Sequence, residues 1–437
     1  MGTKLALLGG SPIRNRAFLP QNTIGEEEKK AVIEVIESGT LSGFIGEHCP
    51  EFHGGKKVQE TEEKYAEYFH AKYAITVNSA SSALQIAVAA LGIGPGDEVI
   101  VTPYTMSATA TAILMQNACP VFVDIDPKTF CMDPEKIEEK ISERTKAIMF
   151  VDLLGQPAHW DELRKIANKY RLKIIEDGAQ AANANYKGKS ACTLGDLGIL
   201  SLNVHKMIHC GEGGVIFTDD DDLAIRCKLI RNHGETSVEH LNLTDISHTM
   251  GLNYRMTEIE AAIANVQLDK LPRLFDVRNQ LANYLSQKLK SIPGIITPFV
   301  QPGVTSAWYL YAIRYLMDVY DVKRETFCKA LTAEGIPVEE GYVKPLYLQP
   351  MYQQRKGRYR NAPESICGLC GGPKHKKCHH EKGICPTSEK MHFQELLIGN
   401  FCHDPLTPND MDDIADAFYK IIENIDELRV YEKSVGK

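Results

Sequence analysis

One lysine stands out in this chain because its surroundings suit covalent chemistry. Lys206 lies between two short apolar segments, 197–202 and 207–208, and is soon followed by a Gly-Glu-Gly-Gly turn at 211–214. Lysines more often occupy solvated surfaces among other charges. A lysine partly removed from water loses some of its preference for the ammonium form, and the neutral amine can attack a carbonyl carbon. Lys206 is therefore predicted to form a Schiff base.

A carboxylate and an amide follow an apolar run in the segment IIEDGAQ. Asp177 ends the run, and Gln180 comes three residues later. A buried carboxylate can keep a pyridine nitrogen protonated and so make the ring an electron sink, as pyridoxal phosphate chemistry requires. The alternative for an isolated Asp-Gly pair is a turn or helix-capping aspartate.

Small and hydroxyl-bearing residues at 78–82 separate a predicted strand from a predicted helix. Such residues let a phosphate approach the backbone amides at a helix N-terminus, although serine-rich caps often only cap. Ser201, five residues before Lys206, could reach the same phosphate. Asn253 and Arg255 precede another predicted helix, where they could contact an anion or form a capping loop.

The elements that must position these residues alternate between short β-rich runs and helical ones from about 73 to 217. This alternation predicts a doubly wound α/β sheet, largely parallel, with ligands beyond the carboxyl ends of the strands. The predicted organisation is an arm at 1–24, a large domain at 25–272 and a smaller α+β domain at 273–437. Predicted helices include 26–38, 57–70, 134–142 and 257–272.

Composition narrows the functional classes. A net charge of −8 argues against a general nucleic-acid binder. The chain has no apolar run of about eighteen residues and no signal-peptide pattern at its start, so no membrane association is expected and a cytoplasmic location is favoured. Several of the twelve cysteines lie in apolar contexts, which indicates buried thiols rather than a disulfide framework.

The order of the motifs resembles that of the DegT/DnrJ/StrS family of pyridoxal phosphate-dependent aminotransferases. The motifs are the turn at 78–82, GIGPGDEVIVTPYT, IIEDGAQ, the lysine before GEGG, and GLNYRMTEIEAA. The resemblance covers about 20–345, with a weaker match at 385–425. It implies a fold-type I transferase with a mostly parallel seven-stranded sheet and a smaller α+β C-terminal domain. It also implies a homodimer with shared active sites.

The resemblance carries roles onto individual residues. Lys206 matches the Schiff-base lysine, Asp177 the carboxylate that pairs with the ring nitrogen, and Gln180 the glutamine that contacts the ring. The phosphate cup falls on Ala80, Ser81 and Ser201, and Asn253 matches an asparagine donated by the neighbouring subunit.

Three positions depart from the family pattern. Met106 stands where an aromatic side chain commonly stacks on the cofactor ring. Asp152 and Tyr347 stand where many members carry histidine, at positions where substrate could be touched. These departures leave the identity of the sugar open.

The function implied is transfer of an amino group from glutamate or glutamine to a keto-sugar, nucleotide-linked or free, or to a keto-cyclitol. One alternative is a pyridoxamine-dependent sugar dehydratase, a branch in which histidine replaces the lysine. His205 is adjacent, but the spacing from Ser201 places Lys206 at the reactive position. Another alternative is a non-catalytic regulatory member of the same fold.

A cysteine- and histidine-rich insert at 361–386 lies outside the family pattern. Cys367, Cys370, Cys378 and Cys385, with His379 or His380 as alternatives, could hold a structural zinc ion with tetrahedral geometry. The other interpretations are a reduced surface loop without metal, and a site for another metal or a redox pair of cysteines.

Overall fold

The computed structural model describes residues 4–234, 237–238, 249–353 and 381–435 of the chain. The strands of its first half are β1 Tyr73–Val77, β2 Glu98–Val101, β3 Cys119–Phe122, β4 Thr145–Val151, β5 Lys173–Asp177, β6 Asn185–Tyr186, β7 Lys189–Ser190, β8 Leu197–Ser201 and β9 Gly214–Thr218. Seven of them form one sheet in the order β1-β9-β8-β5-β4-β2-β3.

This sheet is parallel except at β9, which runs antiparallel to both β1 and β8. Its strands are nearly continuous apolar runs because helices cover both faces of a doubly wound sheet. The prediction of a mostly parallel seven-stranded sheet is confirmed. The carboxyl ends of β2, β4, β5 and β8 point to the same edge, which is where Asp177 and Ser201 lie.

The helices of this half are α1 Glu26–Ser38, α2 Lys56–Phe69, α3 Ala80–Ala90, α4 Ala108–Met115, α5 Trp160–Tyr170 and α6 Asp221–Arg231. The predicted helix at 26–38 is confirmed at both ends. The predicted helix at 134–142 is wrong, since two short 3₁₀ turns, Pro134–Lys136 and Glu138–Lys140, occupy the segment. Ile137 is the one buried side chain there, so no apolar stripe stabilises a longer helix.

A helix of 32 residues, α7 Glu258–Leu289, leads out of this half. Thr257 and Glu260 form a capping box at its start. The helix predicted to end at 272 continues through Pro272, because buried leucines such as Leu274 and Leu281 extend its apolar stripe. The proposed domain boundary at 272 therefore falls inside α7.

The remaining elements form the smaller C-terminal part. A sheet with the order β10-β12-β14-β13 is wholly antiparallel. Its strands are β10 Ile295–Ile296, β12 Tyr311–Tyr315, β13 Glu339–Glu340 and β14 Leu396–Gly399, while β11 Val304–Thr305 pairs with β6. The helices are α8 Met317–Tyr320, α9 Arg324–Ala333, α10 Pro350–Gln353, α11 Pro386–Lys390, α12 Pro408–Glu423 and α13 Ile425–Val435. Among the described helices, none has the length and apolar character needed to cross a bilayer.

Candidate active site

A cavity of about 560 Å³ opens beside Lys206, between the lysine-bearing segment and the smaller C-terminal part. The N-terminal arm contributes Pro20 and Gln21 to its wall. Its polar lining consists of Gln21, His205, Lys206, His209, Tyr309, Glu339, Tyr342 and Asn400. Hydroxyl, amide and imidazole groups of this kind suit a substrate rich in hydroxyl groups.

Lys206 is partly buried at the wall of this cavity. Its backbone N–H donates to the carbonyl of Asn203 at 2.8 Å, which holds the lysine in a turn after β8. Its Nζ lies 4.4 Å from the centroid of the Tyr309 ring. Burial lowers the pKa of Lys206 to about 8, although the charge of Asp177 opposes this change. The partial desolvation inferred from the sequence is thus present, and part of the amine is neutral near neutral pH.

Asp177 ends β5 and is 4% exposed. Its Oδ2 accepts a hydrogen bond from Thr109 Oγ1 at 2.8 Å, and its Oδ1 accepts one from the Ala179 N–H at 3.3 Å. Burial raises the pKa of Asp177, while these two donors and the charge of Lys206 lower it. A carboxylate that is short of compensating positive charge suits a protonated ring nitrogen.

The structure brings the start of α3 close to the end of β8. Gly214 of β9 pairs with Ser201 on one side and with Val77 on the other. A Cβ atom on Gly214 would lie 2.7 Å from the Ala80 nitrogen, so glycine permits this approach. Ser79 caps the helix by accepting from the Ser82 N–H at 3.1 Å.

The amides of Ala80 and Ser81 are the donors that this helix start offers. They have no acceptor within the described part of the chain, as expected for first-turn amides. Together with the Ser201 hydroxyl, they form a set of donors that fits a phosphate group.

Gln180 is held firmly between the two parts of the molecule. Its Oε1 accepts from the Leu154 N–H at 2.7 Å, and its Nε2 donates to the Tyr342 hydroxyl at 2.9 Å. The Tyr342 N–H in turn donates to the Tyr104 hydroxyl at 2.9 Å. Gln180 therefore links the loop after β4 to the cavity wall.

Two of the predicted cofactor contacts are not gathered around Lys206 in this single chain. Met106 is 57% exposed. Asn253 is exposed as well, and its Oδ1 accepts hydrogen bonds from Arg255. Neither residue is part of the cavity wall described above.

Asp152 and Tyr347 do not lie where substrate could touch them, so that expectation is wrong. Both side chains are fully buried. Asp152 accepts from the Ala158 N–H at 2.8 Å, and its burial beside Glu176 raises its pKa well above the usual range. The Tyr347 hydroxyl bonds to Glu389 instead. Their sequence positions near the site reflect the packing beneath it.

Five of the predicted zinc ligands, Cys367, Cys370, Cys378, His379 and His380, lie outside the described residues. Cys385 is described and is 1% exposed, within the apolar core that covers α3. Burial raises the pKa of its thiol, which disfavours the thiolate that zinc needs. Over the described ranges no group of three or more potential ligands could hold a metal ion. Nothing in the described residues supports the zinc prediction.

Three residues of the site were missed by sequence reasoning. Thr109 lies on α4 and reaches Asp177 from another part of the chain, a contact that local sequence cannot indicate. Tyr309 and Tyr342 contribute to the cavity wall from the smaller part. The aromatic residues at 308–311 are the one signal for Tyr309 that the sequence offers.

The comparisons with known proteins agree on one family. The model of the DegT/DnrJ/EryC1/StrS aminotransferase family matches residues 22–370. The chain is 32% identical over 443 residues to the L-glutamine:scyllo-inosose aminotransferase of Streptomyces griseus, covering 98% of this chain and 100% of that one. It is 37% identical over 322 residues to the UDP-2-acetamido-2-deoxy-3-oxo-D-glucuronate aminotransferase of Pseudomonas aeruginosa, covering 74% and 86%. A crystal structure of a DegT DnrJ EryC1 StrS aminotransferase from Brucella abortus superposes with a TM-score of 0.74 at 29% identity, covering 90% and 95%.

Proposed function

We propose, from the premise that this chain belongs to the DegT/DnrJ/EryC1/StrS aminotransferase family, that it moves an amino group from glutamate or glutamine to a keto-sugar or keto-cyclitol. The enzymes of this family depend on pyridoxal phosphate. The observation that carries the proposal is the pairing of a desolvated lysine with a buried carboxylate at one edge of the sheet.

The residues divide the work as follows. The cofactor, when bound, supplies an electron sink for the carbanion that forms at the donor carbon. Lys206 would hold the cofactor covalently, and its free neutral amine would carry the proton. Asp177 would keep the ring nitrogen protonated and Gln180 would contact the ring, while Thr109 orients Asp177 through its hydrogen bond. Ala80, Ser81 and Ser201 would bind the phosphate, whereas Met106, at the position that matches the family's stacking aromatic, is exposed and would cover the ring only if its side chain moved.

The keto substrate is proposed by class only. Of the two relatives compared above, the one that matches nearly the full length of this chain is named for an inosose, and the other is named for a nucleotide-linked sugar. The hydroxyl, amide and imidazole groups of the cavity suit either ring. The dehydratase alternative is disfavoured because a lysine, not a histidine, occupies the turn after Ser201.

We expect purified, cofactor-loaded protein to pass through the first half-reaction when given an amino donor. Glutamate and glutamine, added separately, should convert the visible absorbance of the lysine-bound cofactor to that of pyridoxamine phosphate. The donor that reacts should yield one equivalent of its keto acid. A screen of inososes and of nucleotide-linked keto-sugars should then restore the original spectrum with one class. If neither donor changes the absorbance spectrum, the protein would instead be a non-catalytic member of the fold.

A homodimer with shared active sites is also part of the proposal. Several large apolar side chains are exposed in the segments that carry Lys206, Asn253 and Met106, namely Met106, Val204, Met250 and Leu252. Exposed apolar surface of this kind suits an interface. Asn253 itself is exposed and does not line the cavity of its own chain, which suits a residue donated to a partner.

Complementation between two inactive variants tests this sharing. We expect K206A and N253A to be impaired separately and to recover about a quarter of native activity after mixing and subunit exchange, because half the dimers are mixed and each has one intact site. Sedimentation should show a dimer throughout. If Asn253 acted within its own chain, mixing would recover nothing.

A further inference from the structure

Arg278, on the C-terminal half of α7, is a buried cation with no anionic partner. It is 3% exposed, and in the described part of the chain no carboxylate lies within ion-pair distance of it. All its acceptors are neutral. Its Nη1 donates to the Trp308 carbonyl at 2.7 Å and the Tyr309 carbonyl at 3.4 Å, and its Nη2 donates to Gln21 Oε1 at 2.6 Å. A buried charge without a counter-charge destabilises the folded state, and here only hydrogen bonds to neutral oxygens offset that cost.

One set of these contacts connects Arg278 to Tyr309, whose ring lies over Lys206. Trp308 has a φ of +49°, in the left-handed region that non-glycine residues rarely adopt. Arg278 donates to two successive carbonyls, that of Trp308 at the kink and that of Tyr309 directly after it, while the Tyr309 N–H donates to the Leu154 carbonyl at 3.0 Å. The kink directs the Tyr309 ring to 4.4 Å from Lys206 Nζ.

The second set of contacts leads to the backbone beside the lysine. Gln21, which accepts from Arg278, donates through its Nε2 to the carbonyl of Met207 at 2.9 Å. Met207 directly follows Lys206 in the chain. Arg278 thus fixes two neighbours of Lys206 at once, although it does not touch the lysine itself.

We propose that Arg278 is a positioning residue for Lys206, which holds the Tyr309 ring over the amine and, through Gln21, fixes the turn that carries it. The proposal rests on the proposed role of Lys206. A simpler role, in which Arg278 only satisfies two carbonyls in a kink, would affect folding but not the lysine.

The direction of the effect follows from two opposing influences of the ring. Tyr309 excludes water from Lys206, which favours the neutral amine, and its π-face attracts the ammonium form. Burial dominates, because the pKa of Lys206 is lowered overall to about 8. If Arg278 no longer fixes Tyr309, water reaches the amine, the ammonium form is better solvated, and the pKa of Lys206 rises.

The test measures the lysine directly, by the pH dependence of Lys206 acetylation in cofactor-free full-length protein, read by mass spectrometry. Native protein should give a midpoint near 8. We expect R278M and Y309L each to raise it by about one pH unit or more, since the solvated value is near 10.4. R278K, which keeps the charge and one donor group, should bring the midpoint part of the way back to the native value. Y309F should match native protein, because the ring and not its hydroxyl covers the amine.

Two features separate positioning from a structural role. Lys228 on α6, whose pKa is also lowered by burial, is an internal reference in the same digest and should not change. The double variant R278M/Y309L should raise the midpoint no further than either single variant, because the two residues act through one contact. In loaded enzyme, kcat near pH 7 should fall about tenfold for each pH unit by which the midpoint rises.

The outcomes are distinct. A folded R278M or R278Q whose Lys206 midpoint stays native overturns the proposal, as does a double variant whose two effects add. If R278M does not fold, R278Q and Y309L decide, and an unchanged midpoint in either one overturns the proposal. Failure of the proposed function looks different: K206A would retain the visible absorbance that is specific to lysine-bound cofactor.

Discussion

Replacement of Lys206 by alanine is expected to abolish the visible absorbance of lysine-bound cofactor and to lower transamination by about 10⁴-fold, the upper end of general acid–base contributions. The side chain serves twice, as covalent holder and as proton carrier, so both functions disappear together. Its pKa of about 8 allows a neutral amine near physiological pH. The measurement is an absorbance spectrum with cofactor added, followed by kcat with the donor identified above.

Two variants control this experiment. K206R keeps a cation of similar length but cannot bind the cofactor covalently, so it should be as inactive as K206A. K228A removes another partly buried lysine from α6 and should keep native activity. Substantial turnover in K206R would show that the lysine acts only through its charge and would contradict the proposed mechanism.

Replacement of Asp177 by asparagine should lower kcat by about 10²–10³-fold, the effect of removing one preorganised charge from a reacting centre. Asparagine retains the shape of the side chain and the hydrogen bond from Thr109, but it cannot keep a ring nitrogen protonated. T109V should lower kcat less, by about tenfold, because it removes only one hydrogen bond to a charged group. Stopped-flow measurement of the first half-reaction distinguishes these effects.

The same D177N substitution should stabilise the cofactor-free protein. A carboxyl whose folded-state pKa is raised destabilises the folded state fully at pH values above that pKa, and the penalty is lost as the pH falls from there to below the unfolded-state pKa. Asparagine removes the penalty at neutral pH, so D177N should unfold at a higher temperature than native protein near pH 7. The difference should diminish in acid.

D152N is the matched control for D177N. Asp152 is also buried beyond a strand end, and burial, with Glu176 beside it, raises its pKa well above the usual range, which favours the protonated acid. An asparagine amide can replace that acid as donor, so activity should stay within about twofold of native. A large loss of activity in D152N would mean that any buried substitution at this edge of the sheet impairs the enzyme. The D177N result would then no longer show a specific role for the charge of Asp177.

Much of the fold was predictable because its elements follow strong local patterns. The strands are continuous apolar runs, and α1 has apolar residues at helical spacing before Gly39. The segment 134–142 misled because charged residues suit a helix in isolation, whereas a single buried Ile137 gives it nothing to pack against. The end of α7 was missed because Pro272 is a common stop signal, overridden here by the leucines beyond it.

The site was predictable where chemistry and motif coincide, and not where it depends on contacts between distant segments. Lys206 and Asp177 each carry a local signal, a lysine among apolar residues and a carboxylate after a strand. The contact from Thr109 to Asp177 joins positions 68 residues apart, and that from Arg278 to Gln21 joins positions 257 apart. Such pairs depend on tertiary packing, which no single stretch of sequence contains.

The continuity of α7 has a consequence for chimeric enzymes. A chimera that takes its smaller part from a relative, in order to alter the substrate, would naturally have its junction near Pro272. This position, however, is inside one continuous helix. Each residue gained or lost there rotates the rest of the helix by about 100°, which would turn Arg278 away from Trp308 and Gln21. A junction after Leu289, where α7 ends, would leave this register intact and transplant the cavity wall without disturbing the lysine it faces.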